Sequence, residues 1–538
     1  MGEPLEDLND DVRYPARRKM VIFLIVSFSL FALIFTFVEI ENWRGRSAWK
    51  KYQREAEAKG ETFDILKLAP PNVPNESNFA SVPMFAKLFE IYRDEKGKPQ
   101  LRETDELSEN IFNIKGATTN SSPALGNWIT GQKIKLNEWQ SYYQNVVMET
   151  DDWRSQSRYE DRYGKTDSPG KWTDHAFPVP NKPGTPPDDV LVALTKFDAP
   201  LAELRIASTR PFSRFPINYE DHSSAIFPHL SFLRRVSSFL NLRALANLEA
   251  GHRDDATDNI LLNLSAANAL RGEPSLISQH VRIAMVTSAL HPLWEGLGQH
   301  AWSEAQLLAF QKKLREFDFL ESYQLAVRGE RAFNVLTMEL IRTNRSERVP
   351  RCLCSPEGHG HFHFRSLPFY MMPDGWFHQN QDTIARLHEI ALKIIDPASQ
   401  RINRNALLSF TNAQAESQRG FAPYNIYVGF LFPGSFKSVI NFSFAHTSID
   451  QAILACALER YRLANGTFPE TLMELSPNFL EKIPHDIING EPLKYRRIDN
   501  SKFILCSVGW NETDDGGTVA LSSSGIRHRA EEGDWVRQ

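Results

Sequence analysis

Four side chains that offer oxygen ligands lie close together near the end of the chain, at Asn511, Glu512, Asp514 and Asp515. Two glycines follow them and close the loop. Calcium binds about six to eight oxygens, so the pattern predicts a calcium site at Asn511, Asp514 and Asp515. The spacing differs from that of an EF-hand loop. The alternative is a solvated turn, because Asp and Gly are favoured in turns in any case.

Soft metal ligands are densest at Cys352, Cys354, His359, His361 and His363. Zinc prefers sulfur and imidazole ligands in a tetrahedral arrangement, so these residues are candidate zinc ligands. Their spacing matches no common zinc module. Glycines alternate with histidines here and indicate a flexible loop. The alternative is therefore a loop whose histidines bind no metal.

Known catalytic motifs are missing from the sequence. Residues 126–133, GNWITGQK, come close to a phosphate-binding loop. However, Gln132 stands where such a loop has its phosphate-contacting lysine, and Ile134 stands where a hydroxyl would bind magnesium. The sequence also has no HExxH, GxSxG or GxGxxG motif. No catalytic or cofactor-binding residue is predicted, and the sequence favours a protein that is not an enzyme.

Charge and cysteine content exclude two further classes of protein. Lys and Arg number 61 against 66 Asp and Glu, which gives a net charge of −5. Such a chain lacks the basic surface that nucleic-acid binding requires. Four cysteines are too few to form a disulfide framework in 538 residues. Stability must therefore come from packed cores.

One apolar segment is long enough to cross a bilayer. Residues 21–38 contain no charged side chain and would form a helix of about 27 Å, close to the hydrocarbon thickness. A cleaved signal peptide is the alternative, but its apolar region is usually shorter and ends at a small-residue site. The sequence therefore predicts a single-pass membrane protein. Basic residues flank both ends of the segment, so charge alone does not decide its orientation.

The remaining chain changes character along its length. Residues 1–20 are predicted to be an N-terminal tail, and residues 39–188 a charged stalk followed by a mixed, proline-rich region. Residues 189–435 are predicted to be a mainly α-helical domain. Within it, apolar residues at three- and four-residue steps over 233–248 and 256–267 predict a helical hairpin. Such hairpins are typical of tetratricopeptide-like repeats, although no second copy follows at a fixed period.

Two further signals mark helix ends in this domain. Pro292 is expected to kink or stop the helix that starts near Leu276, because proline has no amide hydrogen. Ser303 and Gln306 have the spacing of a capping box, which predicts the start of another helix.

The C-terminal region, residues 440–520, is predicted to be a small α+β domain. The apolar run from Ile449 continues to Gly466, a typical helix C-cap residue. Short runs over 492–496 and 503–508 suit two antiparallel strands. Residues 521–538 are predicted to be a tail. The overall fold class is thus mixed, α and α+β, behind one transmembrane helix.

Parts of the sequence resemble known protein families. The run ALERYRLANGTFP at 457–469, NGEPLKY at 489–495 and DDGG at 514–517 resemble the globular end of major pseudopilins of type II secretion. That resemblance implies calcium in the final acidic loop and assembly into a short filament. The chain departs from the family because its apolar helix lies far upstream and it lacks the Gly-Phe-Thr-Leu-x-Glu start cut by prepilin peptidase. Filament assembly is therefore not expected.

The whole chain is similar to a group of single-pass, membrane-anchored bacterial envelope proteins. Segments that carry this likeness are PPNVP at 70–74, RPFSRF at 210–215 and GWFHQNQ at 375–381. The resemblance implies an inner-membrane protein whose bulk lies on the outer, periplasmic side, and it implies no particular activity.

A protein-interaction or scaffold role follows as the sequence's first expectation, with the membrane and other proteins as partners and no nucleic acid. Calcium is the only cofactor that the sequence suggests. Two alternatives stay open: an anchored hydrolase whose site is assembled from scattered residues, and an accessory component of a secretion apparatus.

Overall fold

The structure is a computed structural model that describes residues 13–95, 99–101, 122–150, 172–344, 370–417, 419, 422, 424–431, 435–521 and 528–537. Most of the described chain is helical. The α-helices in chain order are α1 Arg13–Glu57, α2 Ile65–Leu68, α3 Pro83–Ala86, α4 Leu136–Asn145, α5 Pro186–Leu194, α6 Asp198–Ser208, α7 Pro228–Glu249, α8 Arg253–Asn268, α9 Leu276–Gly298, α10 Glu304–Leu314, α11 Phe319–Thr343, α12 Asp374–Leu392, α13 Arg404–Ser417, α14 Val428–Leu431 and α15 Ser435–Asn465.

The strands form small antiparallel sheets. β1 Ile91–Arg93 pairs with β2 Pro99–Leu101, β3 Val147–Thr150 with β4 Trp172–His175, and β5 Ile395–Asp396 with β6 Arg401–Ile402. Near the C-terminus, β8 Phe503–Ser507 lies between β7 Lys494–Arg497 and β11 Trp535–Arg537. The last pair is β9 Val519–Leu521 with β10 His528–Gly533.

Two compact units make up the chain, and each is built from separated segments. Unit 1 comprises Met1–Phe63, Arg331–Glu389 and Phe410–Pro433, and unit 2 comprises Asp64–Glu330, Ile390–Ser409 and Gly434–Gln538. The sequence predicts separate domains over 189–435 and 440–520. The structure instead assigns most of the first range and all of the second to unit 2.

In unit 1, helix α1 includes the predicted membrane segment. It is the one helix of the described chain that is long and apolar enough to cross a bilayer, with a mean hydropathy of 2.8 and no burial of its apolar window. The helix starts inside the predicted tail, at Arg13, and continues through the predicted stalk to Glu57. The stalk is helical because it is rich in good helix formers and buries Trp49, Tyr52 and Ala56.

The C-terminal half of α1 packs against α12 within unit 1. The Trp376 indole Nε1 donates to Glu41 Oε2 over 2.9 Å, and the Gly375 amide donates to Asn42 Oδ1 over 2.9 Å. Further along, the Tyr52 hydroxyl donates to the Ala385 carbonyl over 3.1 Å. These hydrogen bonds hold the part of α1 that follows the predicted membrane segment against α12.

In unit 2, the predicted helical hairpin is confirmed as α7 and α8. Gly251 at the turn has φ +81°, a conformation that glycine adopts without strain. The capping box of α10 is also confirmed, since the Ser303 hydroxyl and the Gln306 side chain each accept the other residue's backbone amide. The expected stop at Pro292 is not a helix end, because α9 continues to Gly298. Burial of Leu293, Trp294 and Leu297 beyond the proline favours this continuation.

The C-terminal part of unit 2 also follows the predicted order of helix and strands. Helix α15 ends at Asn465, and the amide of Gly466 donates to the Arg462 carbonyl over 2.8 Å. Strands β7 and β8 form the predicted hairpin.

The prediction of a tail over residues 521–538 is wrong for residues 528–537, which contain strands β10 and β11. β11 pairs with β8, and both Trp535 and Arg537 are buried. Gln451 Nε2 donates to the Trp535 carbonyl over 2.6 Å, and Arg537 lies over the Trp128 ring at 4.4 Å. Two large buried side chains therefore hold the end of the chain to the core of unit 2.

Candidate functional site

The loop of the predicted calcium site is organised by bonds within the protein. Asn511 Nδ2 donates to Asp515 Oδ2 over 2.9 Å. Asp534 lies behind the loop, and its carboxylate accepts the amides of Asp515 and Gly517 over 3.2 and 2.7 Å. Hydrogen bonds within the loop and to Asp534 thus hold its shape.

Cations of the protein also approach this loop. Glu512 forms an ion pair with Arg404, and Lys494 Nζ lies 3.9 Å from Asp514 Oδ2. Among the described residues, no group of three or more His, Cys, Asp or Glu side chains is placed to hold a metal. The calcium site remains a prediction.

The candidate zinc ligands Cys352, Cys354, His359, His361 and His363 lie outside the described residues. The other cysteines, Cys456 and Cys506, are buried free thiols, and burial raises the pKa of both. A buried thiol with a raised pKa is a poor nucleophile and a poor metal ligand.

Unit 2 has a cleft of about 1160 Å³ beside α4, α7 and the start of α9. Ligand sites in proteins commonly measure about 300 to 1,000 Å³, so this cleft is large enough for a sizeable molecule. The residues that line it are Ser122, Pro123, Leu125, Trp139, Tyr142, Tyr143, Phe177, Phe197, Ala225, Ile226, Phe227, Leu230, Ser231, Arg234, Arg235, Ser238, Phe239, Leu242, Ile277 and Val281.

Helix α7 forms one wall of the cleft. Residues four apart lie on the same face of a helix, so rows at this spacing face a common neighbour. Two adjacent rows of α7 line the cleft: Leu230, Arg234, Ser238 and Leu242 in one, and Ser231, Arg235 and Phe239 in the other. Ile277 and Val281 extend the wall from the first turns of α9 with the same spacing.

A continuous series of aromatic rings forms a second wall, which meets α7 at Phe239. Helix α4 supplies Trp139 and Tyr143, whose ring centroids lie 5.6 Å apart. The Tyr143 ring meets Phe177 at 4.6 Å, Phe177 meets Phe197 at 6.1 Å, and Phe197 meets Phe239 of α7 at 5.3 Å. The last three pairs are edge-to-face, a geometry worth about 0.5 to 1.5 kcal/mol each beyond burial. The wall is therefore both apolar and rigid.

Two adjacent arginines supply the positive charge of the cleft. Arg234 is exposed, whereas Arg235 is half-buried and its Nε is buried without a hydrogen-bond partner. Burial lowers the pKa of Arg235, and no neighbouring charge contributes to that shift. In the described part of the chain neither guanidinium has an ion-pair partner. An uncompensated cation in a partly dry site attracts an anion.

The serines of the cleft are used by the helix itself. Ser231 Oγ donates to the Pro228 carbonyl and Ser238 Oγ to the Arg234 carbonyl, each over 3.2 Å. Their hydroxyls are bonded to the backbone and not to a histidine or carboxylate that could activate them. The cleft can therefore bind apolar and anionic groups, and it offers no activated nucleophile among these serines.

A second, more polar pocket of about 680 Å³ lies at the turn between α7 and α8. His300 lines it, and its Nδ1 lies 3.1 Å from both carboxylate oxygens of buried Glu459. A histidine oriented by a carboxylate can act as a general base. The nearby Ser303 hydroxyl, however, accepts the Gln306 amide as a helix cap. Ser303 carries the only hydroxyl among the described residues that line this pocket.

The cleft was not among the sites predicted from the sequence. The predicted hairpin includes α7, but the adjacent Arg234 and Arg235 gave no reason to expect a ligand. A usable signal was present in α4, where Trp139, Tyr142 and Tyr143 share one helix face. Only packing of α4 near α7 reveals that these residues line one cavity.

Comparison of the chain with protein-family models, with curated proteins and with solved structures finds no match. The function must therefore be argued from the site itself.

Proposed function

We propose that this chain is a membrane-anchored binding protein whose ligand occupies the cleft of unit 2. The observation that carries the proposal is the aromatic-walled cavity of about 1160 Å³ lined by α4, α7 and α9. Large apolar cavities with a few polar groups are typical of binding sites.

Retention of the anchor is part of the proposal. Glu41 and Asn42 are buried just beyond the apolar segment, and both bond to α12. If the apolar segment were cleaved as a signal peptide, the new N-terminus of α1 would lie beside the buried contacts of Glu41 and Asn42. The resemblance to envelope proteins supports placement in an inner membrane with the soluble part outside.

The hydrolase alternative is supported by one observation, the His300–Glu459 pair in the polar pocket. It is weaker, because the Ser303 hydroxyl there caps a helix. The secretion-accessory alternative is supported by the order of α15 and the β7–β8 hairpin, which suits the pseudopilin-like resemblance. Co-purification with secretion proteins would favour that role.

Photolabelling tests the proposed function. The full-length protein in nanodiscs would be labelled with a neutral aryl diazirine, and the labelled peptides identified by mass spectrometry. We expect labelling of α7 in addition to the membrane part of α1. Ser238→Trp, which places a bulky side chain in the cleft from an exposed position, should reduce the α7 labelling, whereas Ser141→Trp at an exposed position on α4 should not. Labelling confined to α1 in the wild type would contradict the proposal.

A further inference from the structure

The cleft combines features that favour one class of ligand. Its aromatic wall and its aliphatic residues can bury a hydrocarbon chain, because each buried apolar group leaves water favourably. Arg234 and Arg235 also line the cleft, and neither guanidinium forms an ion pair with another part of the described chain. A ligand that satisfies both features is apolar over most of its length and carries a negative charge at one end.

The polar groups of the cleft favour a head group with negative charge over a neutral one. Ser231 and Ser238 already donate to backbone carbonyls, so their hydroxyls have no further hydrogen to donate to a ligand and can only accept. The guanidinium groups only donate hydrogen bonds, and they bind carboxylates and phosphates with two parallel bonds. An incoming anion also relieves the burial of the unpaired Arg235 Nε.

The membrane anchor decides between a lipid and a peptide as occupant. A chain tethered to a bilayer by α1 works beside a large store of single-chain and double-chain amphiphiles. An acidic amphipathic peptide has similar chemistry, but the anchor brings the chain to a lipid surface and not to such a peptide. The observations therefore favour the lipid.

We infer that the cleft binds a single-chain lipid whose anionic head group is held by Arg234 and Arg235 and whose hydrocarbon chain lies against the aromatic wall. This inference rests on the proposed function, since it names the ligand class of the same cleft. Adjacent helix positions point about 100° apart, so the two arginines approach the head group from different directions. Arg235 contacts it inside the cleft and Arg234 at the rim.

The test uses a diazirine-bearing palmitic acid on the full-length protein in nanodiscs of neutral phosphatidylcholine. We expect crosslinks to α4 and α7 in the wild type. Arg235→Met should reduce them about tenfold, the effect of losing a charge-assisted hydrogen bond. Arg235→Lys should retain part of the labelling. The matched control Arg205→Met, at an exposed arginine of α6, should label like the wild type.

Competition identifies the head group. Oleate and dodecyl phosphate represent the carboxylate and phosphate sources, and we expect at least one of them to displace the probe while oleyl alcohol does not. Equal competition by oleyl alcohol, or unchanged labelling of Arg235→Met, would overturn the inference. Displacement only by an acidic amphipathic peptide would also overturn it and assign the cleft to a protein partner.

The two proposals fail in different ways. If the neutral aryl diazirine still labels α7 but the fatty acid does not, the binding site stands and the ligand class is wrong. If neither probe labels α7, both proposals are wrong. Unchanged urea midpoints of the arginine variants exclude misfolding as the cause of lost labelling.

Discussion

Arginines inside unit 2 differ in how their charge is accommodated. Arg282 and Arg537 are fully buried, and burial lowers the pKa of each to about 9. Both have neutral partners, because Arg282 donates to the Ser322 hydroxyl over 2.7 Å and Arg537 to the Ser448 hydroxyl over 2.9 Å. Among the described residues, Arg235 has no carboxylate partner, and its buried Nε makes no hydrogen bond. Its guanidinium is thus available to a ligand, while those of the other two serve the fold.

A buried histidine in unit 1 makes stability depend on pH. Burial lowers the pKa of His388 to about 3, and its Nδ1 donates to the Ile384 carbonyl over 2.8 Å. The unfolded chain takes up this proton below pH ~6.5, whereas the folded chain does not until about pH 3. The contribution of neutral His388 to the free energy of unfolding is therefore fully present above pH ~6.5. It is lost as the pH falls from ~6.5 toward 3, and the loss is about 2 kcal/mol at pH 5.

Hydrogen exchange of the α12 amides at pH 7 and pH 5, corrected for intrinsic rates, measures this loss. His388→Gln should reduce the pH dependence, while His252→Gln, at an exposed histidine, should leave it unchanged. Equal pH dependence in the wild type and in His388→Gln would show that the buried histidine is not its source.

At the scale of elements, local sequence signals predicted the structure well. The α7–α8 hairpin, the capping box at Ser303 and the β7–β8 hairpin all depend on residues close in sequence. Contacts between distant segments were not predicted. The Gly375 amide meets Asn42 across 333 positions, and β11 joins β8 where the sequence suggested a tail. The cleft also depends on contacts between distant segments, because α4 and α7 line it together.

The crossing of α1 and α12 depends on glycine. A methyl group at Gly375 would lie 1.9 Å from the Glu41 carbonyl oxygen, so Gly375→Ala must force the helices apart. We expect a loss of about 1 to 3 kcal/mol in the stability of this packing. Hydrogen exchange of residues 41–57 should become faster.

Gly429→Ala is the matched control in unit 1, since nothing lies within 4 Å of a methyl group there. It should leave exchange over 41–57 unchanged. Equal protection in Gly375→Ala and the wild type would refute the close helix crossing.

Two features of the whole molecule support the proposed function. A helix that is able to cross a membrane continues as a packed helix of unit 1, and unit 2 contains a large apolar cleft with an unpaired guanidinium. Neither feature alone indicates a function, because anchors and cavities occur in many proteins. Together they favour a tethered protein that takes up amphiphiles near a bilayer.

Native mass spectrometry of the full-length protein, released gently from membranes, tests whether the cleft of unit 2 holds a ligand. We predict that the wild type and Ser141→Trp retain a bound molecule of lipid size, whereas Ser238→Trp, with its cleft narrowed, retains less of it. Equal retention by the wild type and Ser238→Trp, or no bound molecule in any of the three, would contradict the claim that the cleft is a binding site.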